Sequence, residues 1–182
     1  PAKLDNTTCL SCHDGKKGKL EIAGAEGKPR ELHAVVPDKF GQSVHASMTC
    51  VACHADIKDN AEKANAHAKD PALKLAKVDC AGCHQQLWDD AQKAGTGKDK
   101  PKLELVAKNI AAYKASFHAR PNADDKTKPN ASCDNCHDTH SFNVPAKNTP
   151  QYDQWRLGIA KNCGSCHEDQ LDSYAGSIHG QE

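Results

Sequence analysis

CVACH, residues 50–54, places two cysteines three positions apart and a histidine directly after the second. The same shape returns as CLSCH at 9–13, CAGCH at 80–84, CDNCH at 133–137 and CGSCH at 163–167. The chain has 10 cysteines in 182 residues, and the five pentads use all of them: Cys9, Cys12, Cys50, Cys53, Cys80, Cys83, Cys133, Cys136, Cys163 and Cys166. None is left for a structural disulfide or a separate catalytic thiol.

A C-x-x-C pair serves thiol–disulfide exchange, half of a zinc site, or covalent attachment of haem. The following residue separates the three. A redox disulfide has no need of histidine there, and a zinc site takes its histidines from farther along the chain to close a tetrahedron. In c-type attachment the two thiols add to the porphyrin vinyl groups and the next residue is the histidine that binds the iron. Histidine makes up 11 of the 182 residues. Five pairs out of five followed by histidine would then arise by composition roughly once in a million trials, so the pattern reads as the haem-attachment motif. The sequence therefore predicts five haem c groups, with His13, His54, His84, His137 and His167 each binding one iron.

Ordinary core formation is weak. Leu, Ile, Val and Phe together number 26 of 182 residues, about 14%, below the roughly 20% of chains that build their own cores. Mean hydropathy is −0.76. Five flat apolar macrocycles would supply the missing core, with the polypeptide as a thin coat. The fold expected is mostly α with little regular structure, organised around five packed haems, with one small β-hairpin near the N-terminus. The length suggests a single pentahaem domain over 1–182, with sub-modules at 1–40 (first haem and hairpin), 41–100 (second and third haems) and 101–182 (fourth and fifth). The pentads starting at 50 and 80, and those at 133 and 163, are both 30 residues apart, and the two pairs are offset by 83. This looks like a repeated two-haem unit preceded by one extra haem.

Local patterns add six readings. KLEIAGAEGKPRELHAVV (19–36) alternates around a Gly/Pro turn and predicts the hairpin. Residues 59–70 and 101–119 predict helices, the second with Pro101 in its first turn. Residues 149–162 predict a helix capped by Thr149 with Pro150 at its first position, close to the last pentad. Residues 95–100 and 120–131 are loops by composition.

Five irons leave five axial positions, and six histidines lie outside the pentads: His33, His45, His67, His118, His140 and His179. Supply exceeds demand by one, which predicts histidine on both sides of every iron. FGQSVH, YKASFH and YAGSIH end at His45, His118 and His179 and share the form aromatic-x-x-Ser-x-His. Their serines are expected to steer the imidazoles through hydrogen bonds. His140, three residues after His137, is too close to reach round its own haem and is expected to serve a neighbouring one. His67 completes the set. His33 is taken as the spare, on the hairpin face opposite Leu32, Ala34 and Val36. Met48 stands two residues before Cys50, poorly placed to span a ring, and is expected only to pack.

The pentads and the aromatic-x-x-Ser-x-His words together resemble the bacterial multihaem cytochromes c, in particular small periplasmic or extracellular multihaem cytochromes, including pentahaem donors to reductases. The resemblance covers nearly the whole chain. It implies that His45, His118, His179 and His140 bind the far side of a neighbouring haem. Gly180 keeps the glycine that usually follows the Ser-x-His histidine, while Ala46 and Ala119 replace it in the other two words.

The function expected is electron transfer along five covalently bound haems between redox partners in anaerobic or metal-linked respiration. Partners of the implied kind are a membrane quinol-oxidising cytochrome or a terminal reductase. No catalytic residues are assigned, because bis-histidine iron has no open coordination site. Two other readings use the same pentads. One is a catalytic multihaem oxidoreductase for nitrite, hydroxylamine or a sulfur oxyanion, which needs a five-coordinate iron; no pentad carries the lysine that marks the catalytic haem of some relatives. The other is a subunit of a polymeric cytochrome filament. Side-chain charges balance at 24 and 24. With propionates and iron added, the holoprotein carries about −5 oxidised and about −10 reduced, which argues against a nucleic-acid partner. Lys16, Lys17 and Lys19 read as a solvated turn. Thioether attachment belongs outside the reducing cytosol, and the chain opens at Pro1 without a leader, so a periplasmic or extracellular mature chain is expected. No apolar run is long enough for a membrane helix.

Overall fold

The chain is described by a computed structural model covering residues 4–23, 29–57 and 77–181. It is mostly α with one two-stranded antiparallel sheet. The elements are α1 (Asn6–His13), β1 (Leu20–Ala23), β2 (Pro29–Leu32), α2 (Pro37–Gly41), α3 (Cys50–Cys53), α4 (Cys80–Lys93), α5 (Pro101–Ala115), α6 (Cys133–Cys136), α7 (Pro150–Gly164) and α8 (Glu168–Ala175). The helix expected over 59–70, with His67 on it, lies outside the described residues.

The predicted hairpin forms with Leu20 opposite Leu32 and Ala23 opposite Pro29. Lys19 is tied to it: its Nζ lies 2.8 Å from Glu31 across the strands, an exposed pair worth little to stability. The sequence reading of His33 needs correction. β2 ends at Leu32, so His33 lies past the strand and not on a face of the hairpin, with Ala34 and Val36 exposed beside it. The segment leaves the sheet to dock on the first pentad, the Val35 amide donating to the His13 carbonyl at 2.8 Å.

The most regular packing is the α4–α5 hairpin. Asp79 caps α4 by accepting from the Gly82 amide at 2.8 Å. The helix carries a part-buried Gln85–Asp89 and an exposed Gln86–Asp90 hydrogen bond, at 2.9 and 2.7 Å, each spanning one helical turn. α4 stops at Gly95, which takes the left-handed conformation (φ 71°) favoured at that position. The expected loop at 95–100 is a tight turn containing a 3₁₀ segment, Gly97–Asp99. A Cβ at Gly97 would run into Gln92 and sit 3.4 Å from the Trp88 ring. Small residues, Ala91 and Ala107, are buried on the two helices. α5 follows its predicted span to Ala115, then changes to a 3₁₀ turn, Phe117–Ala119. α7 starts as read, Thr149 Oγ1 accepting from the Tyr152 amide at 3.2 Å with Pro150 first in the helix. It runs into the last pentad, since Cys163 lies within it. The 120–131 segment is a loop closed by a bridge between Pro121 and Pro129.

Little of this surface is covered by protein. Among the described residues, the buried apolar side chains are Ile57, Ala91 and Ala107, with no large one fully buried. Val44, Leu105, Phe117, Leu157 and Ile178 are all more than half exposed. The accessible surface is 13897 Å², whereas a compact chain of 19.6 kDa exposes about 8,600 Å².

Candidate functional site

Each pentad is built on helical backbone. The histidine amide donates to the carbonyl of the first cysteine at 2.9 Å for His54 and His137 and 3.0 Å for His167. In one such turn, residues i, i+3 and i+4 share a side, so both thiols and the imidazole face the same way. α1 and α4 also carry their pentads in helical turns. None of the ten cysteines is in a disulfide.

The sequence caps these turns in different ways. Asp79 precedes Cys80, and Ser132 forms a capping box with Asn135 over Cys133–Cys136. Thr49 makes no side-chain cap for α3. Asn6 replaces it from a distance, its Oδ1 accepting from the Cys50 amide at 2.8 Å and its Nδ2 donating to the Met48 carbonyl at 3.0 Å. Asn162 ties the last two pentads together through a 2.7 Å bond to the Cys136 carbonyl. Sequence reasoning missed both asparagines, because neither lies in a motif and each acts across a long separation. The replacement Asn6→Ala removes two part-buried hydrogen bonds worth about 1 kcal/mol each. It should lower the thermal midpoint of the folded protein by several degrees without altering its absorption spectrum; an unchanged midpoint would contradict this role.

The thiols of successive pentads are neighbours. Burial, and then the Cys9 thiol beside it, push the Cys50 thiol up to about 11. Burial and Cys83 raise Cys53; burial and Cys133 raise Cys80; burial and Cys163 raise Cys136. Lys77 and Asp134, beside the third and fourth pentads, lie 3.9 Å apart.

Outside the pentads, the three aromatic-x-x-Ser-x-His words share a backbone turn. The serine amide donates to the aromatic carbonyl three residues back, at 3.0 Å in Ser43–Phe40, 2.9 Å in Ser116–Tyr113 and 3.0 Å in Ser177–Tyr174. The hydroxyls of Ser116 and Ser177 bond the same carbonyls at 2.7 Å, and Ser43 Oγ accepts from the His45 amide at 3.2 Å. The serine therefore fixes the turn that presents the histidine; it does not bond the imidazole, as the sequence reading had it. At Gly180 a Cβ would run into the Tyr174 carbonyl, which accounts for the glycine there. The His118 turn is pinned further by the Ala131 amide, 2.9 Å from the His118 carbonyl, and by the Tyr113 hydroxyl on the Ala131 carbonyl at 2.9 Å.

His140 is presented differently. Asp138 accepts from the His140 amide at 3.1 Å and from the Ser141 hydroxyl at 2.5 Å. That hydroxyl, with the His140 and Ser141 amides, holds the Asp138 carboxyl below its ordinary value. The Val44 amide then joins the Phe142 carbonyl at 3.0 Å, drawing the segments of His45 and His140 together.

Three imidazole pairs result among the described residues. His45 faces His84 with ring centroids 6.0 Å apart, His54 faces His140 at 6.4 Å, and His118 faces His167 at 6.1 Å. Each joins one pentad histidine to one outside the pentads, and among these three pairs no ring is shared. Two imidazoles on opposite sides of one metal ion, each bonded at about 2.0 Å, have centroids about 6.3 Å apart. Burial, and next the His45 ring, lower the basicity of His84, whose Nδ1 is buried without a hydrogen-bond partner. Among the described residues, no imidazole faces His33, His137 or His179; the His137 ring meets Phe142 edge-on at 4.6 Å. Nor, among the described residues, do three or more His, Cys, Asp or Glu side chains converge as round a bare metal ion. A cleft of about 150 Å³ beside the fifth pentad is lined by Cys163, His167, Ala160, Leu171 and Tyr174. Among the described residues, no helix is long and apolar enough to cross a membrane. Comparison of the chain with protein-family models, with curated proteins and with solved structures gives no match.

Proposed function

We propose that the chain is an electron-transfer protein that binds five c-type haems covalently and ligates their irons by histidine on both sides. The observation that carries this reading is the three imidazole pairs. The pentads alone would account for one ligand per iron. A second histidine at the separation an iron requires, in three separate places, supports six-coordinate iron. The imidazoles meet in twos, which fits a metal whose other four ligands come from a porphyrin. The sparse protein core and the excess accessible surface fit the same group, since five macrocycles would cover the exposed apolar side chains.

When bound, c-type haem supplies a one-electron iron couple at each site. The chain does the rest. Ten cysteines would anchor the groups, the three facing imidazole pairs would each hold an iron from both sides and leave no place there for substrate, and the pentad turns hold neighbouring sites together. The thiol neighbours, from Cys9–Cys50 through Cys53–Cys83 and Cys80–Cys133 to Cys136–Cys163, support a spatial order that follows the sequence, with the first and fifth haems at the ends. Redox proteins meeting those ends are the partners this reading implies, with the protein in the periplasm or outside the cell.

Intact mass tests it. The folded protein should exceed the 19.6 kDa of the polypeptide by about 3 kDa, five haem additions through two thioethers each. Its spectrum should be low-spin in both oxidation states, with midpoints mostly below zero because imidazole, not thioether sulfur, fills the axial sites. A mass shift of four haems or fewer, or haem that extracts into acidic organic solvent, would contradict the reading.

A further inference from the structure

We propose that the chain builds two geometrically different kinds of bis-histidine iron site: His54 with His140 in near-parallel planes at the second pentad, and His84 with His45, and His167 with His118, in strongly crossed planes at the third and fifth. This rests on the haem reading above and goes beyond it by assigning ligands to particular irons and an orientation to each pair.

The ring planes of His54 and His140 lie 21° apart. Those of His45 and His84 lie 56° apart, and those of His118 and His167 lie 68° apart. The difference follows from how the partner rings are delivered. His45 and His118 both end aromatic-x-x-Ser-x-His turns, which share the serine-to-aromatic backbone bond and present the ring two residues after the serine. His140 comes instead from the Asp138 turn, immediately after its own pentad. Two delivery devices thus give two orientations.

The assignment also braids the chain. His45, which precedes the second pentad, serves the third. His140, which follows the fourth, serves the second. His118, which precedes the fourth, serves the fifth. Each non-pentad ligand crosses at least one intervening pentad, so the two-haem repeats suggested by the 30-residue spacings are interlocked. Removing one of these ligands should therefore affect an iron whose own pentad is distant in sequence.

Axial plane angle has a direct magnetic signature. Near-parallel imidazoles split the iron d orbitals strongly and give a rhombic low-spin ferric signal in electron paramagnetic resonance. Crossed planes leave two of those orbitals nearly degenerate and give a highly anisotropic signal with a large maximum g value. The experiment takes the ferric holoprotein, confirmed by mass to carry five haems, and compares it with His140→Ala, His45→Ala and His118→Ala. In His140→Ala the low-spin component lost, one iron's worth, should be rhombic. In His45→Ala and in His118→Ala it should be of the large-g type. His140→Met supplies a sixth ligand without the imidazole and guards against a variant that fails to fold. It should lose the same rhombic component and gain a methionine–iron charge-transfer band. Loss of a large-g component in either His140 variant, loss of a rhombic one in His45→Ala or His118→Ala, or retention of all five low-spin components would overturn the assignment while leaving five covalent haems in place. A parent protein without covalent haem would instead overturn the functional reading beneath it.

Discussion

Chain produced without haem should show only a small fraction of the holoprotein's far-ultraviolet helical signal and no cooperative thermal transition. Ordering the backbone costs on the order of 1–2 kcal/mol per residue, and burial of apolar side chains is the main term that offsets it. Ile57, Ala91 and Ala107 are the buried apolar residues among those described, and two of them are alanines. Isolated helices shorter than about 12–15 residues are marginal in water. α1 and α8 have 8 residues each, and α3 and α6 have 4. The α4–α5 hairpin, with its caps and side-chain hydrogen bonds, is where residual helix should concentrate. Circular dichroism of the haem-free chain, with and without heating, checks this. A native-like helical signal with a cooperative melt would show that the polypeptide folds on its own side chains and that the core has been misidentified.

Replacing His118 should open one iron in five, and replacing His33 should open none. His118 stands 6.1 Å from His167 across the space an iron would fill. Its turn is held by the Ser116 bonds to Tyr113, the Ala131 amide and the Asn130 side chain on the Phe117 carbonyl. Truncation to alanine leaves that scaffold in place and removes only the ring. A high-spin component near one fifth of the iron should appear, the reduced protein should bind carbon monoxide, and the potential of that haem should rise because the ferric state loses a basic ligand. His33 is exposed, beyond the end of β2, so His33→Ala should leave the low-spin spectrum unchanged. If His33→Ala opens an iron, the spare histidine has been wrongly chosen. His67, outside the described residues, would then be the first to lose its place in the ligand set.

The five pentads were open to sequence reading because they are local: two thiols and an imidazole at fixed offsets fall on one side of a helical turn. Helix starts with their own punctuation were equally open, as at Pro101 and at Thr149–Pro150. α4 was missed because CAGCH was read as chemistry alone, although Asp79 makes it also the start of a 14-residue helix. The pairing of histidines could not be read, since His54 and His140 are 86 positions apart and only the path of the chain decides that they meet. The repeated serine was recognised and misassigned: its hydroxyl bonds backbone groups of its own turn, the aromatic carbonyl at Ser116 and Ser177 and the His45 amide at Ser43, a backbone role with the same sequence signature as a side-chain one. His179 ends the third copy of that word with the same local turn, yet its ring faces no imidazole among the described residues. A local word fixes presentation and leaves the partner to the fold.

Coulometric titration of the intact holoprotein, with the visible spectrum recorded at each step, tests the central claim most directly. Five covalent haems with histidine on both faces should take up five electrons per chain, over potentials mostly below zero, and remain low-spin throughout. Fewer than five electrons per chain, or a high-spin fraction near one iron in five in the unmodified protein, would contradict the account and favour a site built to bind substrate.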